Sequence, residues 1–317
     1  MRFISDINEM RRFSKDANKL GKSIAFVPTM GFLHEGHASL LKKGRELGDT
    51  LVMSIFVNPI QFGPKEDFAS YPRDLKRDLA LAEANGVDVV FSPVPDEMYP
   101  EGFQTYVDVE NLSKYLCGLS RPGHFRGVAT AVAKLFHIVK PDTAIFGEKD
   151  YQQLAVIKRM VRDLNMDIDI VGMPIVREAD GLAMSSRNGY LSREERRAAL
   201  CLYHALMKAG DVFGKGVKDA GVILKEARSV IEAEPLARID YVRVCNTDTM
   251  EDLDRITDRA FLALAVTIGK TRLIDNTVLS NAMQGRPLWS PAAGGDKPPP
   301  LHNLVYNMVS IQNFGLK

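Results

Sequence analysis

Cysteine is scarce in this chain of 317 residues: Cys117, Cys201 and Cys245 stand far apart, with no CxxC spacing. That excludes a disulfide framework and a cysteine-based zinc knuckle, and it fits a reducing compartment. Long hydrophobic runs are also missing. The longest, residues 51–57 and 260–268, fall well short of the roughly 18 to 20 residues a membrane helix requires, so they read as buried strands and no membrane partner is expected. Nor is there an excess of one charge, since 41 Lys and Arg face 40 Asp and Glu for a net charge of +1. A nucleic-acid surface normally shows as a basic excess or stripe, so no nucleic-acid partner is expected, although a local basic pocket stays open. Residues 1–13 alternate apolar and charged side chains without an apolar core segment, unlike an ordinary secretory signal, and a cytoplasmic location is expected. No internal repeat is visible. What the chain does have is 45% hydrophobic and 26% charged residues, close to the soluble average and sufficient for a sizeable core in one large or two ordinary domains.

Ile7, Met10, Phe13, Ala17 and Leu20 recur at helical spacing, and the run 24–27 after Gly21 predicts a first buried strand. The alternation then repeats, with helices at 36–47, 73–85, 125–139 and 151–164 leading to strands at 50–57, 88–91, 143–146 and 168–171. Strands separated by helices of this length imply βαβ units and a parallel sheet covered on both faces. The expected fold class is therefore α/β, a Rossmann-like doubly wound sheet over residues 1–174. After Pro174 the pattern changes to helices at 192–213 and 217–232 and strands at 239–245, 261–268 and 272–275, which predicts a smaller α+β domain over 175–280. Residues 281–317 hold four Gly and five Pro, which cannot continue a helix or a central strand. An extended C-terminal arm is expected there, packed on this subunit or on a partner because it ends in apolar residues.

In an open parallel sheet ligands bind at the carboxyl ends of strands, so the loops after strands carry the functional expectation. The first is Pro28-Thr29-Met30-Gly31-Phe32-Leu33-His34-Glu35-Gly36-His37. Its glycines allow close backbone approach, its helix start presents free N–H groups to phosphate, and two histidines three residues apart can face one anion. Metal ligation by His34 and His37 lacks a third ligand at a recognised spacing. In the second, Asn58 and Gln61 supply neutral donors and acceptors for a small hydroxylated or zwitterionic molecule, although Asn-Pro is also an ordinary turn. The third, Gly147-Glu148-Lys149-Asp150-Tyr151-Gln152-Gln153, offers a point charge at Lys149 and a helix N-cap at Asp150. The fourth, residues 181–188, brings Met184, Ser185, Ser186 and Arg187 to the domain junction, where two hydroxyls and a guanidinium can wrap phosphate oxygens. Residues 120–127 set Arg121, His124 and Arg126 around a further helix start.

Taken together, the strings FVPTMGFLHEGH, SIFVNPIQF, SRPGHFRGVAT, FGEKDYQQL, DGLAMSSRN and RLIDN resemble the pantoate–β-alanine ligase (pantothenate synthetase) family over residues 1–280. His-x-Gly-His alone would mark only the wider nucleotidyltransferase superfamily. The resemblance implies a Rossmann-like domain, a smaller C-terminal lid domain and a homodimer. It also implies ATP-dependent condensation of pantoate with β-alanine through pantoyl adenylate, releasing AMP and pyrophosphate. By residue, it implies that ATP is bound by Met30, Gly31, Phe32, Leu33, His34, Glu35, Gly36, His37, Gly147, Glu148, Lys149, Asp150, Val176, Met184, Ser185, Ser186 and Arg187. Of these, His34, His37, Lys149 and Arg187 are the catalytic group. Gln61 and Gln153 would hold pantoate, Gln61 would also meet β-alanine, and Mg²⁺ would bridge the phosphates with help from Asp78. His37 is one candidate for deprotonating β-alanine. The competing readings are a nucleotidyltransferase that leaves the nucleotide on its product and an RNA-binding relative of a tRNA synthetase. The small net charge and the lack of an evident anticodon-binding module count against the second.

Overall fold

The computed structural model describes residues 1–64 and 66–281, so nearly all of the expected C-terminal arm lies outside the described residues. The first part of the chain runs β1 (Arg2–Ile4), α1 (Ile7–Lys19), β2 (Ile24–Thr29), α2 (Glu35–Leu47), β3 (Thr50–Ile55), α3 (Leu75–Ala84), β4 (Val89–Phe91), α4 (Pro95–Met98), α5 (Leu116–Ser120), α6 (His124–Val139), β5 (Thr143–Gly147), α7 (Tyr151–Asp163) and β6 (Asp169–Met173). Its six strands form one parallel sheet in the order β1-β4-β3-β2-β5-β6.

Alternate residues of each central strand explain why helices cover both faces. Ile24, Phe26, Val52, Ala144 and Phe146 enter one core with α1, α6 and α7. Ala25, Val27, Leu51, Met53 and Ile145 enter another with α2 and α3. Burial of each large apolar side chain stabilises the fold by about 1.5–3 kcal/mol, so both faces of these strands favour coverage.

The order reverses between β2 and β5, and there the ladder is short. β2 and β5 pair only through Ala25–Thr143 and Phe26–Ala144, whereas β2 and β3 pair from Ile24–Thr50 to Thr29–Ile55. Beyond Phe26 the two strands part towards their carboxyl ends and open a crevice at the switch point. Pro28, which has no N–H to give, lies beyond the last β2–β5 pair.

The second part holds α8 (Arg193–Ala198), α9 (Leu200–Gly214), α10 (Ala220–Glu232), β7 (Ala237–Cys245), β8 (Arg259–Ile268) and β9 (Thr271–Ser280). Its strands form an antiparallel sheet in the order β7-β8-β9. One face, with Val242, Leu262, Leu264 and Leu273, packs on α9 and α10. The other, with Phe261, Ala263, Ile274 and Val278, joins the core of the parallel-sheet unit, where Tyr151 stacks on Phe261 at 4.3 Å.

Three local expectations change. The helix expected over 192–213 is two helices, parted at Ala199, whose ψ of −20° tightens the turn. β9 reaches Ser280 because all ten of its residues pair with β8, although Asp275, Asn276 and Thr277 interrupt the apolar signal. The edge strand β1 exists through pairing with β4, a long-range contact that three residues cannot announce.

Candidate active site

Four loops converge on the crevice at the ends of β2 and β5, forming a cleft of about 240 Å³. The loop after β2 is held in a conformation that needs outside support. Gly31 has φ +81°, and a Cβ there would come within 2.9 Å of Asp78 Oδ2. Phe32 is itself left-handed, with φ 51°, a strain that persists only where the surroundings dictate it. They do so here because the Phe32 and Leu33 amides donate to the two Asp78 carboxylate oxygens at 2.8 and 2.7 Å. Burial pushes the Asp78 carboxyl up despite these two bonds.

The same loop delivers both histidines to the start of α2. His34 Nδ1 accepts from the Gly36 amide at 3.1 Å, and His37 Nδ1 accepts from the His34 amide at 3.3 Å. The arrangement is a capping box with imidazoles in place of the usual hydroxyl and carboxylate. An Nδ1 that accepts leaves the proton of a neutral imidazole on Nε2, so both rings are assigned as Nε2–H donors. Burial, reinforced by Lys149, lowers His34 to about 4. Burial and then the neighbouring His34 and Lys149 lower His37 to about 3. Near neutral pH both are uncharged donors, with ring centroids 4.1 Å apart.

Beyond β3, the amide of Asn58 is wholly engaged. It donates to Gln61 Oε1 at 2.9 Å and to the Gly127 carbonyl at 3.1 Å, and accepts from Tyr99 Oη at 2.7 Å. Asn58 therefore orients Gln61, and both side chains line the cleft. Gly127 is required because a Cβ there would lie 2.4 Å from the Ile60 carbonyl, and its absence lets α6 rest on this turn. At the head of α6, His124 Nε2 faces Arg121 Nη1 at 2.9 Å, so its Nδ1–H donates to the Gln61 carbonyl at 2.9 Å. Burial and then Arg121 lower this third neutral histidine to about 4.

Asp150 precedes α7, but its side chain makes no capping bond and instead accepts from Lys149 Nζ at 3.4 Å. Burial alone would raise its carboxyl; Lys149, Arg187 and His124 outweigh burial and hold it below the usual range. Gln153 lines the cleft, while its neighbour Gln152 turns into the core and bonds Cys117, Leu112 and Tyr115. From the fourth loop, Ser186 Oγ donates to the Phe32 carbonyl at 3.2 Å. Arg187 grips Asp67 with two bonds of 2.8 Å, and Arg121 grips Glu66 with two of 2.6 Å. These two acidic residues carry no recognisable motif, and both belong to the segment that follows Gln61.

Of the expected residues, Met30, His34, Gly36, His37, Gln61, Gly147, Lys149, Asp150, Gln153, Val176, Met184, Ser185, Ser186 and Arg187 share the cleft wall. Gly31, Phe32, Leu33, Glu35 and Glu148 are not on that wall; they form or flank the loops that carry those residues, and Asp78 stands behind the first loop. Arg126 lies over the Tyr106 ring instead of the cleft. The wall carries three cations, each with a carboxylate partner: Arg121 with Glu66, Arg187 with Asp67, and Lys149 with Asp150, which itself lines the wall. Cys117 is buried with its Sγ 3.1 Å from Tyr241 Oη, as a packing residue would be.

A doubly wound parallel sheet, a cleft at its switch point walled by three paired cations, and neutral histidine donors at a helix start together define a Rossmann-like enzyme suited to phosphate-bearing substrates. The family model described as pantoate-beta-alanine ligase matches residues 2–278. The chain is 58% identical to the pantothenate synthetase of Geobacter sulfurreducens over 279 residues, 88% of this chain and 99% of that one. It is 59% identical to that of Pelotomaculum thermopropionicum over 273 residues, 86% of this chain and 97% of that one. A solved pantothenate synthetase from Thermus thermophilus superimposes with a TM-score of 0.83 at 46% identity, over 87% of this chain and 98% of that one. A pantoate-beta-alanine ligase from Francisella tularensis, complexed with beta-gamma ATP and beta-alanine, does so with a TM-score of 0.72 at 34% identity, over 87% and 97%. The chain belongs to the pantoate-beta-alanine ligase family, and it is a ligase.

Proposed function

We propose that this cleft condenses pantoate with β-alanine in two steps driven by ATP. The pantoate carboxylate attacks the α-phosphorus, the bond from that phosphorus to the bridging oxygen breaks, and pyrophosphate leaves. The uncharged β-alanine amine then attacks the acyl carbon of pantoyl adenylate, the bond from that carbon to the phosphate oxygen breaks, AMP leaves, and the nitrogen loses a proton to water as the amide forms. The observation that carries the first step is the pair of neutral Nε2–H donors, His34 and His37, at the start of α2 on a wall that also holds Lys149 and Arg187. An ionised carboxylate needs no base, so the barrier falls through positioning and through donors aimed at phosphate charge.

In this reading His34, His37, Lys149, Ser185, Ser186 and Arg187 meet the phosphates, and Gly147, Met184 and Val176 flank the nucleotide. Gln61 and Gln153 hold pantoate, with Gln61 also near β-alanine. Gln61 is suited to this because Asn58 anchors its Oε1, while among the described residues its Nε2 meets the weak sulfur acceptor of Met30. His37 serves as a donor and not as the base for β-alanine, because its accepting nitrogen is engaged with the His34 amide and its pKa is about 3. The donor set fits Mg²⁺ carried by phosphate oxygens and water, with Asp150 the carboxylate at hand: no group of three metal-ligating side chains occurs among the described residues. When bound, the ion neutralises phosphate charge. Asp78 then supports the loop instead of helping the metal. No helix among the described residues is long and apolar enough to cross a membrane. We place the boundary between the two units near residues 174–175 and the end of the second near 280, and read the enzyme as a cytoplasmic homodimer, with its three cysteines free and buried.

Pantoate-dependent exchange of labelled pyrophosphate into ATP, followed by β-alanine addition and mass analysis, tests the sequence of steps. Exchange followed by AMP and pantothenate is expected. Exchange without pantoate, or a product that keeps the nucleotide, would overturn the reading in favour of nucleotidyl transfer.

A further inference from the structure

The string Arg272-Leu273-Ile274-Asp275-Asn276 has no part in the reaction as derived above, yet it sits on β9 against two of the loops that do. Successive strand residues face opposite sides of a sheet. Ile274 and Val278, on the side of Asn276, pack against the core of the parallel-sheet unit, whereas Leu273 and Leu279, on the side of Asp275, pack with the helices of the smaller unit.

Asn276 is 6% exposed, and its Nδ2 donates to the Glu148 carbonyl at 3.0 Å and to the Lys149 carbonyl at 2.8 Å. Two carbonyls on one side demand the amide's donating end, which fixes its orientation. Those carbonyls belong to the single 3-10 turn, Glu148–Asp150, between β5 and α7. Asp275 turns the other way and takes Arg177 at 2.6 and 2.9 Å. Arg177 also donates to the Gly181 carbonyl at 3.0 Å and bridges to Ala183, next to Met184. One strand thus holds the turn bearing Lys149 with one face and the segment leading to Ser185 and Arg187 with the other.

We propose that Asn276 is a positioning residue for adenylation: by holding the carbonyls of Glu148 and Lys149, it aims the Lys149 ammonium at the phosphates that the 184–187 loop faces. The inference rests on the assignment of Lys149 to ATP phosphate made above. Displacement of a catalytic group by about 1 Å costs on the order of a hundredfold in rate, so the two bonds have leverage far beyond their number.

Asn276→Asp keeps the shape but sets oxygens against two carbonyls, and Asn276→Ala removes the donors without adding charge. Each is combined with Lys149→Ala in a double-mutant cycle, read as the single-turnover rate of pantoyl-adenylate formation, with melting and pantoate binding measured alongside. With Lys149 present, either substitution is expected to slow adenylation roughly tenfold to a hundredfold while pantoate affinity stays within about twofold. In the Lys149→Ala background the same substitution is expected to cost less than about threefold. Equal losses in both backgrounds would overturn the proposal, since Asn276 would then act on the fold and not through Lys149. An unchanged rate in folded Asn276→Ala would overturn it as well. If Asn276→Asp does not fold, the Asn276→Ala cycle decides the question. Absence of pyrophosphate exchange in the unsubstituted protein would instead remove the reaction assignment, and this role with it.

Discussion

The loop after β2 and the loop at 184–187 meet at one cleft but are held by different physics. The first is fixed from behind, by a buried carboxylate taking two backbone amides and by imidazoles capping α2. The Asp78 bonds lie behind the loop, off the cleft wall. The second is fixed from within, because Arg187 lines the cleft and its carboxylate partner Asp67 is joined to it by a half-buried ion pair. A phosphate offers a guanidinium the same bidentate geometry as a carboxylate, so an anionic substrate can take Asp67's place. Arg121 and Glu66 repeat the arrangement. The loop after β2 therefore contributes permanent donors, whereas Arg187 at the junction and Arg121 at the head of α6 contribute exchangeable ones.

Removing a permanent donor should have the largest effect. His37→Ala is expected to slow adenylation roughly a hundredfold or more while ATP affinity changes only a few-fold, as for other donors aimed at developing charge. Wild-type single-turnover kinetics in that variant would break the comparison at its first limb. Removing the support comes next: Asp78→Ala leaves two amides without an acceptor and is expected to cost about 2–3 kcal/mol in urea unfolding. The Asp78→Asn variant should keep the magnesium midpoint of the wild type, and a tenfold shift would identify Asp78 as a metal ligand instead.

Acid should weaken the permanent set through folding. His34, His37 and His124 titrate lower in the folded chain, at about 4, 3 and 4, than the ordinary 6.5. The unfolded chain therefore takes up protons first as pH falls. Their contribution to stability is full above about pH 6.5 and is lost progressively down to about pH 3 to 4. A melting temperature that stays flat between pH 7.5 and about pH 5.5, where the carboxylates remain ionised, would contradict this. The smallest effect belongs to the exchangeable pair. Asp67→Asn should tighten ATP binding only a few-fold, on the order of 0.5–1 kcal/mol, and weaker binding in a titration would mean that Asp67 helps hold the substrate-ready loop.

Much of this was legible beforehand because it depends on local pattern. The alternation of apolar runs and amphipathic helices predicts β2 through β6 in chain order, and Gly31, His34 and His37 mark by their spacing a loop that enters a helix at a strand end. Only the fold shows that imidazoles take up the Gly36 and His34 amides there, which the spacing leaves free. The partners across the chain were not legible. The family resemblance points to Asp78 as a magnesium helper, and only the fold shows its carboxylate taking the amide of Phe32, 46 residues away. Glu66 and Asp67 sit in a segment with no motif, and Asn276 gave no sign that it reaches a turn 127 residues earlier. The RLIDN string marked the place without stating the role.

What the sequence determined by itself is the class of fold, the strand ends that matter and the residue types offered there, because hydrophobic period and turn chemistry act over a few residues. Only the tertiary structure decided the tautomers of the histidines, the anchoring of Gln61 by Asn58, the carboxylates paired with Arg121 and Arg187, and the strand that brackets the cleft. Each of those depends on which groups share a low-dielectric space, and burial and hydrogen-bond geometry are properties of position in the fold, which residue identity alone does not carry.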